Sequence, residues 1–162
     1  MTTSSSPAAV AFGTTGSMPR GFVSRIVAGV AHGAFGLLLV SSVVGIAIAQ
    51  GIISRGVVKA DAGDVATLQA FAPLAVIFAL VGIGHVAAGL GIVFGSRNAA
   101  ALGIGLGVLD LMAGFVILAV SAGGRGSSVD GTSFAVAFVL AGVVLAVAAR
   151  AADWNTHGPV EA

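Results

Sequence analysis

The chain has 162 residues, enough for one domain, and only 8% are charged, about a third of the roughly 25% found in soluble domains, while 57% are hydrophobic. Such a chain cannot cover a water-facing surface; its mean hydropathy of +1.11 and its 25 glycines point to helices packed closely in lipid. A net charge of +1 and the lack of cysteine exclude a basic nucleic-acid surface and any disulfide, thiol or iron–sulfur chemistry.

Residues 1–21 read as a disordered tail, because Met1 to Ser17 is Ser, Thr, Ala and Gly without periodicity. The first apolar run, Ile26 to Ala49, is long enough at ~1.5 Å per residue to cross a hydrocarbon core of about 30 Å. A secretory signal competes with that reading, since Arg20 and Arg25 precede the run and Ala47-Ile48-Ala49 resembles a peptidase site before Gln50. The run exceeds the roughly 7–15 residues of a signal core, which favours a membrane helix.

Gly51 to Ala70 is the one sizeable loop, with Arg55, Lys59, Asp61 and Asp64 in balance. Helix two is expected over about 72–94, with Pro73 in its first turn; a helix begun earlier, capped by Asp64, would hold Pro73 inside and kink there. The turn Ser96-Arg97-Asn98 then leads into helix three, about 99–122, and its shortness makes the two helices antiparallel neighbours. Gly123 to Ser128 is a flexible connector. Helix four covers about 133–152, with Arg150 able to snorkel and Trp154 able to anchor at the interface; residues 153–162 form a polar tail.

The fold expected from this is all-α: a polytopic bundle of four transmembrane helices over residues 22–152. Arg20, Arg25, Arg97 and Arg150 fall on one side and Arg55, Lys59 and Arg125 on the other. That bias leans towards a prokaryotic plasma membrane with both termini cytoplasmic.

A repeat carries the polar residues. Helix one holds Gly29, His32 and Gly36, helix two Gly82, His85 and Gly89, and helix three Gly107, Asp110 and Gly114, all in the form G-x-x-[HD]-x-x-x-G. Helix four lacks the motif, yet Ala135 to Gly142 matches Ala75 to Gly82 at most positions. A duplicated two-helix hairpin accounts for this, with Leu145 standing where His85 stands. Spacings of three and four residues put each ionisable side chain on a glycine face, with Gly103 continuing the face of helix three. Such faces are helix-packing surfaces.

His85 lies twelve residues before Arg97 and Asp110 thirteen after it, so they are expected at one depth as a buried polar pair. His32 is a third polar candidate, but it follows Arg25 by only seven residues, which predicts a position roughly 7–8 Å nearer the membrane face.

Three functions compete. In the first, the protein is a non-enzymatic structural or accessory subunit in a homo-oligomer or a larger membrane complex, packing through its glycine faces. The second is a small proton- or ion-coupled transporter or channel using His85 and Asp110, since an ionisable group at membrane depth costs about 2.5–3.5 kcal/mol and usually has a reason. The third is a haem- or chlorin-binding subunit with His32 or His85 as axial ligand, against which the expected offset of the histidines counts. No other cofactor and no metal site is expected: His157 has no ligand partner at a recognisable spacing. Gly103-x-Gly105-x-Gly107 follows no strand, and nothing resembles a nucleophile, base and acid set.

Overall fold

The computed structural model describes residues 18–59, 61–123 and 129–158. Among them the chain forms four α-helices and no strand: α1 (Phe22–Ser54), α2 (Ala62–Val93), α3 (Arg97–Gly123) and α4 (Val129–His157). Each contains a segment long and apolar enough to cross a bilayer. The protein is a small multi-pass membrane protein with the expected four-helix architecture. Helix is the form that leaves no backbone N–H or C=O open to lipid, which is why glycine and β-branched residues, poor helix formers in water, are tolerated here.

The helices outrun the apolar segments that mark them. α1 starts at Phe22, whose N–H donates to Pro19 O at 3.0 Å, and Ser24 Oγ donates to Gly21 O at 2.9 Å. At its other end Gly56, with φ +67, closes the helix: Gly56 N–H donates to Ile53 O and Val57 N–H to Ile52 O, the pair of bonds that satisfies the last carbonyls. α2 begins at Ala62, not near Ala72, and Val65 N–H donates to Asp61 O at 3.2 Å. The helix runs through position 73; the side chains of Asp64 and Pro73 lie outside the described ones, as do the tail Met1 to Ser17, connector residues 124–128 and residues 159–162.

The turn between α2 and α3 is one to two residues earlier than expected, at Phe94-Gly95-Ser96, with Arg97 and Asn98 already in α3. Gly95 takes φ +78, and Gly95 N–H and Ser96 N–H donate to Ile92 O and Gly91 O. Ser96 Oγ then accepts from Ala99 N–H at 3.3 Å. One serine thus ends α2 and caps α3, so the reversal needs no further residues. α4 continues to His157, since Asp153 lies within reach of Arg150 Nη1 (3.2 Å) and His157 Nδ1 (3.1 Å). Much of the expected polar tail is its last turn.

α1 packs most extensively on α2, and α3 on α4; the α2–α3 and α1–α4 seams are thinner. Glycines set both close pairings. A methyl built on Gly36 would lie 2.5 Å from Gly82 O, and one on Gly89 would lie 2.6 Å from Gly29 O. In the second hairpin a methyl on Gly142 would lie 2.6 Å from Gly107 O, and one on Gly114 2.8 Å from the main-chain nitrogen of Val139. The two hairpins close in the same way but in different registers. Gly36 faces Gly82, whereas Gly142 faces Gly107 rather than Gly114. That slip of seven residues, two helical turns, keeps the same face turned inward.

One end of the bundle gathers the start of α1, the α2–α3 turn and the end of α4. Gly21 abuts Asn155 and Thr156, the Arg25 guanidinium lies against Gly95, and Arg97 Nε is 3.9 Å from Asp153 Oδ1. Arg25, Arg97 and Arg150 therefore share one end, as expected. Trp154 is exposed there, with Arg150 5.7 Å from its ring centre. Val30, Leu37, Leu80, Ile83, Met112 and Val144 cover the outside and face lipid.

Candidate functional site

His32 in α1, His85 in α2 and Asp110 in α3 are the buried polar side chains among the described residues, at 0%, 0% and 2% exposure. They form one line. His85 Nε2 stands 2.8 Å from Asp110 Oδ2, so the expected pair is in contact across the α2–α3 seam. His85 Nδ1 stands 2.8 Å from His32 Nδ1, and His32 Nε2 is 3.3 Å from the main-chain oxygen of Leu145 in α4. Every helix contributes one member.

The expected offset of His32 is a correction. It rested on placing Arg25 and Arg97 at one level by their main chains. In the structure the guanidinium of Arg25, at the end of its long stem, reaches the level of Gly95. Arg25 to His32 is seven residues, about 10.5 Å, and Gly95 back to His85 is ten residues, about 15 Å. The stem spans the difference of about 4.5 Å, and both histidines sit at one depth.

Glycines make the approach possible. Gly36 and Gly82 lie on one side of the histidine pair and Gly29 and Gly89 on the other, and a methyl on Gly36 would also press within 2.9 Å of His85 Cβ. The imidazole rings lie 22° from parallel with centres 5.1 Å apart, and Phe35 meets His85 in a T-shaped contact at 5.2 Å. Gly103 clears room for the other end: a methyl there would be 3.0 Å from His32 Nε2.

The repeat now has a structural meaning. His32 corresponds to Asp110 and Leu145 to His85, and the structure joins the corresponding partners: His85 to Asp110 across α2–α3, Leu145 to His32 across α4–α1. Where the second copy has no imidazole, a main-chain carbonyl takes its place. That carbonyl has a second lone pair beyond its helical bond, a substitution that side-chain lettering cannot reveal.

The contacts fix the proton inventory. A carbonyl only accepts, so His32 Nε2 carries hydrogen and donates to Leu145 O. In neutral His32, Nδ1 then accepts from the Nδ1–H of His85. The 2.8 Å contact of His85 Nε2 with Asp110 Oδ2 is close but not aligned as a hydrogen bond; one further proton satisfies it, held either by an imidazolium facing a carboxylate or by a carboxylic acid facing an imidazole. Three protons satisfy three contacts at zero net charge, the state that burial in lipid favours.

Both nitrogens of each histidine have a polar atom within 3.3 Å, and the facing Nδ1 atoms leave no gap for a flat macrocycle. Axial ligation of haem or chlorin by His32 or His85 would require breaking the line, so the arrangement does not fit such a group. Among the described residues no cluster of three or more His, Cys, Asp or Glu is arranged to hold a metal ion. Ser42 Oγ donates to Leu38 O at 2.9 Å, the ordinary role of a hydroxyl in a membrane helix. No protein-family model, curated protein or solved structure matches the chain.

Proposed function

We propose that the protein is a proton-coupled membrane protein, a small non-enzymatic transporter or channel whose carrier site is the line His32–His85–Asp110. The observation that carries this reading is the continuous line of three buried ionisable groups, each 2.8 Å from the next and shielded from both sides of the bundle. Ionisable groups at membrane depth are costly to bury and commonly mark substrate, ion or proton pathways. Two of the contacts cross the thin seams between the hairpins, while the glycine-closed hairpins act as stiff halves. A change in proton number therefore acts where the bundle can open, which makes the seams the bistable element of a coupled device. The enclosed neutral line is the occluded state.

A second reading is an accessory subunit of a homo-oligomer or larger complex. The glycines of the repeat are used in closing this chain on itself, so docking would fall to other faces. Gly33, Gly45 and Gly105, where an added methyl would meet nothing within 4 Å, support it. The arginines collected at one end support a plasma membrane of a prokaryote with that end, and both termini, cytoplasmic.

Reconstitution into vesicles holding a pH-sensitive dye tests the two readings. Proton coupling predicts flux from the wild-type chain and its loss in Asp110→Asn with assembly intact. Loss of assembly in that variant, with no wild-type flux at any imposed gradient, supports the packing reading instead.

A further inference from the structure

We propose that the buried line exchanges its proton with water through a single atom, Nε2 of His32, and on the arginine side of the bundle, past Ile92. This rests on the proton-coupled reading and adds to it a port and a direction.

The port follows from which contact can be given up. Begin with Asp110 as the acid. His32 Nε2–H passes its proton to an arriving water, the Nδ1 proton of His85 moves to Nδ1 of His32, and the carboxyl proton of Asp110 moves to Nε2 of His85. The water becomes hydronium, and the charge left behind is the Asp110 carboxylate. Both 2.8 Å contacts persist with donor and acceptor exchanged. Only the 3.3 Å contact to Leu145 O is lost, and that carbonyl keeps its place in α4. Uptake is the same sequence reversed. Removing a proton from either inner contact without this shift would set two lone pairs face to face at 2.8 Å, and adding one there would oppose two hydrogens. The line can therefore load and unload at its His32 end without breaking an inner bond.

The direction follows from what surrounds that end. Gly103, Ile92 and Ala149 lie around His32 Nε2: a methyl on Gly103 would be 3.0 Å from that nitrogen, 3.1 Å from Ile92 Cδ1 and 3.2 Å from Ala149 Cβ. Beyond them towards the arginines are Ala28, Ala100 and Ala152, all buried; Ile92 is the one large fully buried side chain of that layer, with Ile104 partly buried against it. On the opposite side Phe35, Phe78, Phe134 and Phe138 interlock, with ring centres 4.8–6.2 Å apart. One side is a layer of methyl groups around one fully buried isoleucine; the other is a cluster of four rings centred on the buried Phe138. A rotamer change at Ile92 is the smaller opening, and it lies on the side of the port.

The test uses the full chain in lipid bilayers transferred to D2O, with infrared spectroscopy following the isotope shifts of the Asp110 carboxyl and histidine ring bands. Fold is checked for each variant by size-exclusion profile and helix content. Ile92→Ala should speed exchange by about tenfold or more, equivalent to a barrier lowered by about 1.4 kcal/mol, and Ile92→Val by less should the alanine variant fail to fold. Phe138→Ala should leave the rate unchanged, and His32→Gln should slow exchange at Asp110. Faster exchange in Phe138→Ala with none in the Ile92 variants would overturn the direction. Unaltered exchange in His32→Gln would overturn the port, the carboxyl then exchanging directly. Bands that never respond to pH in any variant would sink the proton-coupled reading itself, a different result from either.

Discussion

Gly36→Ala joins packing to the polar line and gives the sharpest stability prediction. The added methyl would lie 2.5 Å from Gly82 O, where ordinary contact begins near 3.4 Å, so α1 and α2 must part there by 3.4 − 2.5, about 0.9 Å. The same displacement takes the His32–His85 contact from 2.8 Å to about 3.7 Å, beyond hydrogen-bond reach. Overpacking costs about 1–3 kcal/mol, and an interhelical hydrogen bond in lipid contributes about 0.6–1.7 kcal/mol. The variant should lose about 2–5 kcal/mol in all. Gly33→Ala, three residues away on the same helix and with nothing within 4 Å, is the matched control and should lose nothing measurable. Reversible unfolding in mixed micelles with increasing denaturing detergent reads both. If Gly36→Ala proves as stable as Gly33→Ala, the hairpin is not closed by glycine contact and the reasoning fails.

Asp110→Asn should preserve the fold to within about 1 kcal/mol, because an amide N–H can donate to His85 Nε2 as a carboxylic acid does; the same unfolding assay checks it. His85→Leu, which installs the residue of the second repeat copy, should cost about 1–3 kcal/mol for each partner left unsatisfied at His32 and Asp110, read by thermal aggregation in detergent. Asp153→Asn should change stability by less than about 1 kcal/mol, since its contacts to Arg97 and Arg150 are at an exposed end. Gly142→Ala should weaken the second hairpin much as Gly36→Ala weakens the first, its methyl falling 2.5 Å from Leu111 N.

Much of this bundle is written in local terms. Four apolar runs and the tight reversal near Arg97 lead directly to two antiparallel helices, and the near-equal counts of His85 and Asp110 from Arg97 anticipate their contact although the reversal itself centres on Gly95. Glycine spacing likewise identifies the faces that meet. What escaped were features decided by side-chain reach or by main-chain atoms. The depth of His32 depended on how far the stem of Arg25 carries its charge, and the partner of His32 Nε2 is the carbonyl of Leu145, whose side-chain identity is silent on it. The early start of α2 at Ala62 and the long end of α4 at His157 lie in polar stretches, where hydropathy marks the membrane and not the helix. The seven-residue register difference between the hairpins is invisible for a related reason: either register presents the same glycine face.

A neutral, three-proton line joins two histidines through their Nδ1 atoms inside the membrane. Nitrogen-15 magnetic resonance of the histidine-labelled protein in lipid bilayers reads that line at its middle contact. The neutral line gives a coupling across one hydrogen bond between Nδ1 of His32 and Nδ1 of His85, lost in His85→Leu. Two uncoupled imidazoles, each with its proton on Nε2 and its Nδ1 bare, would contradict it.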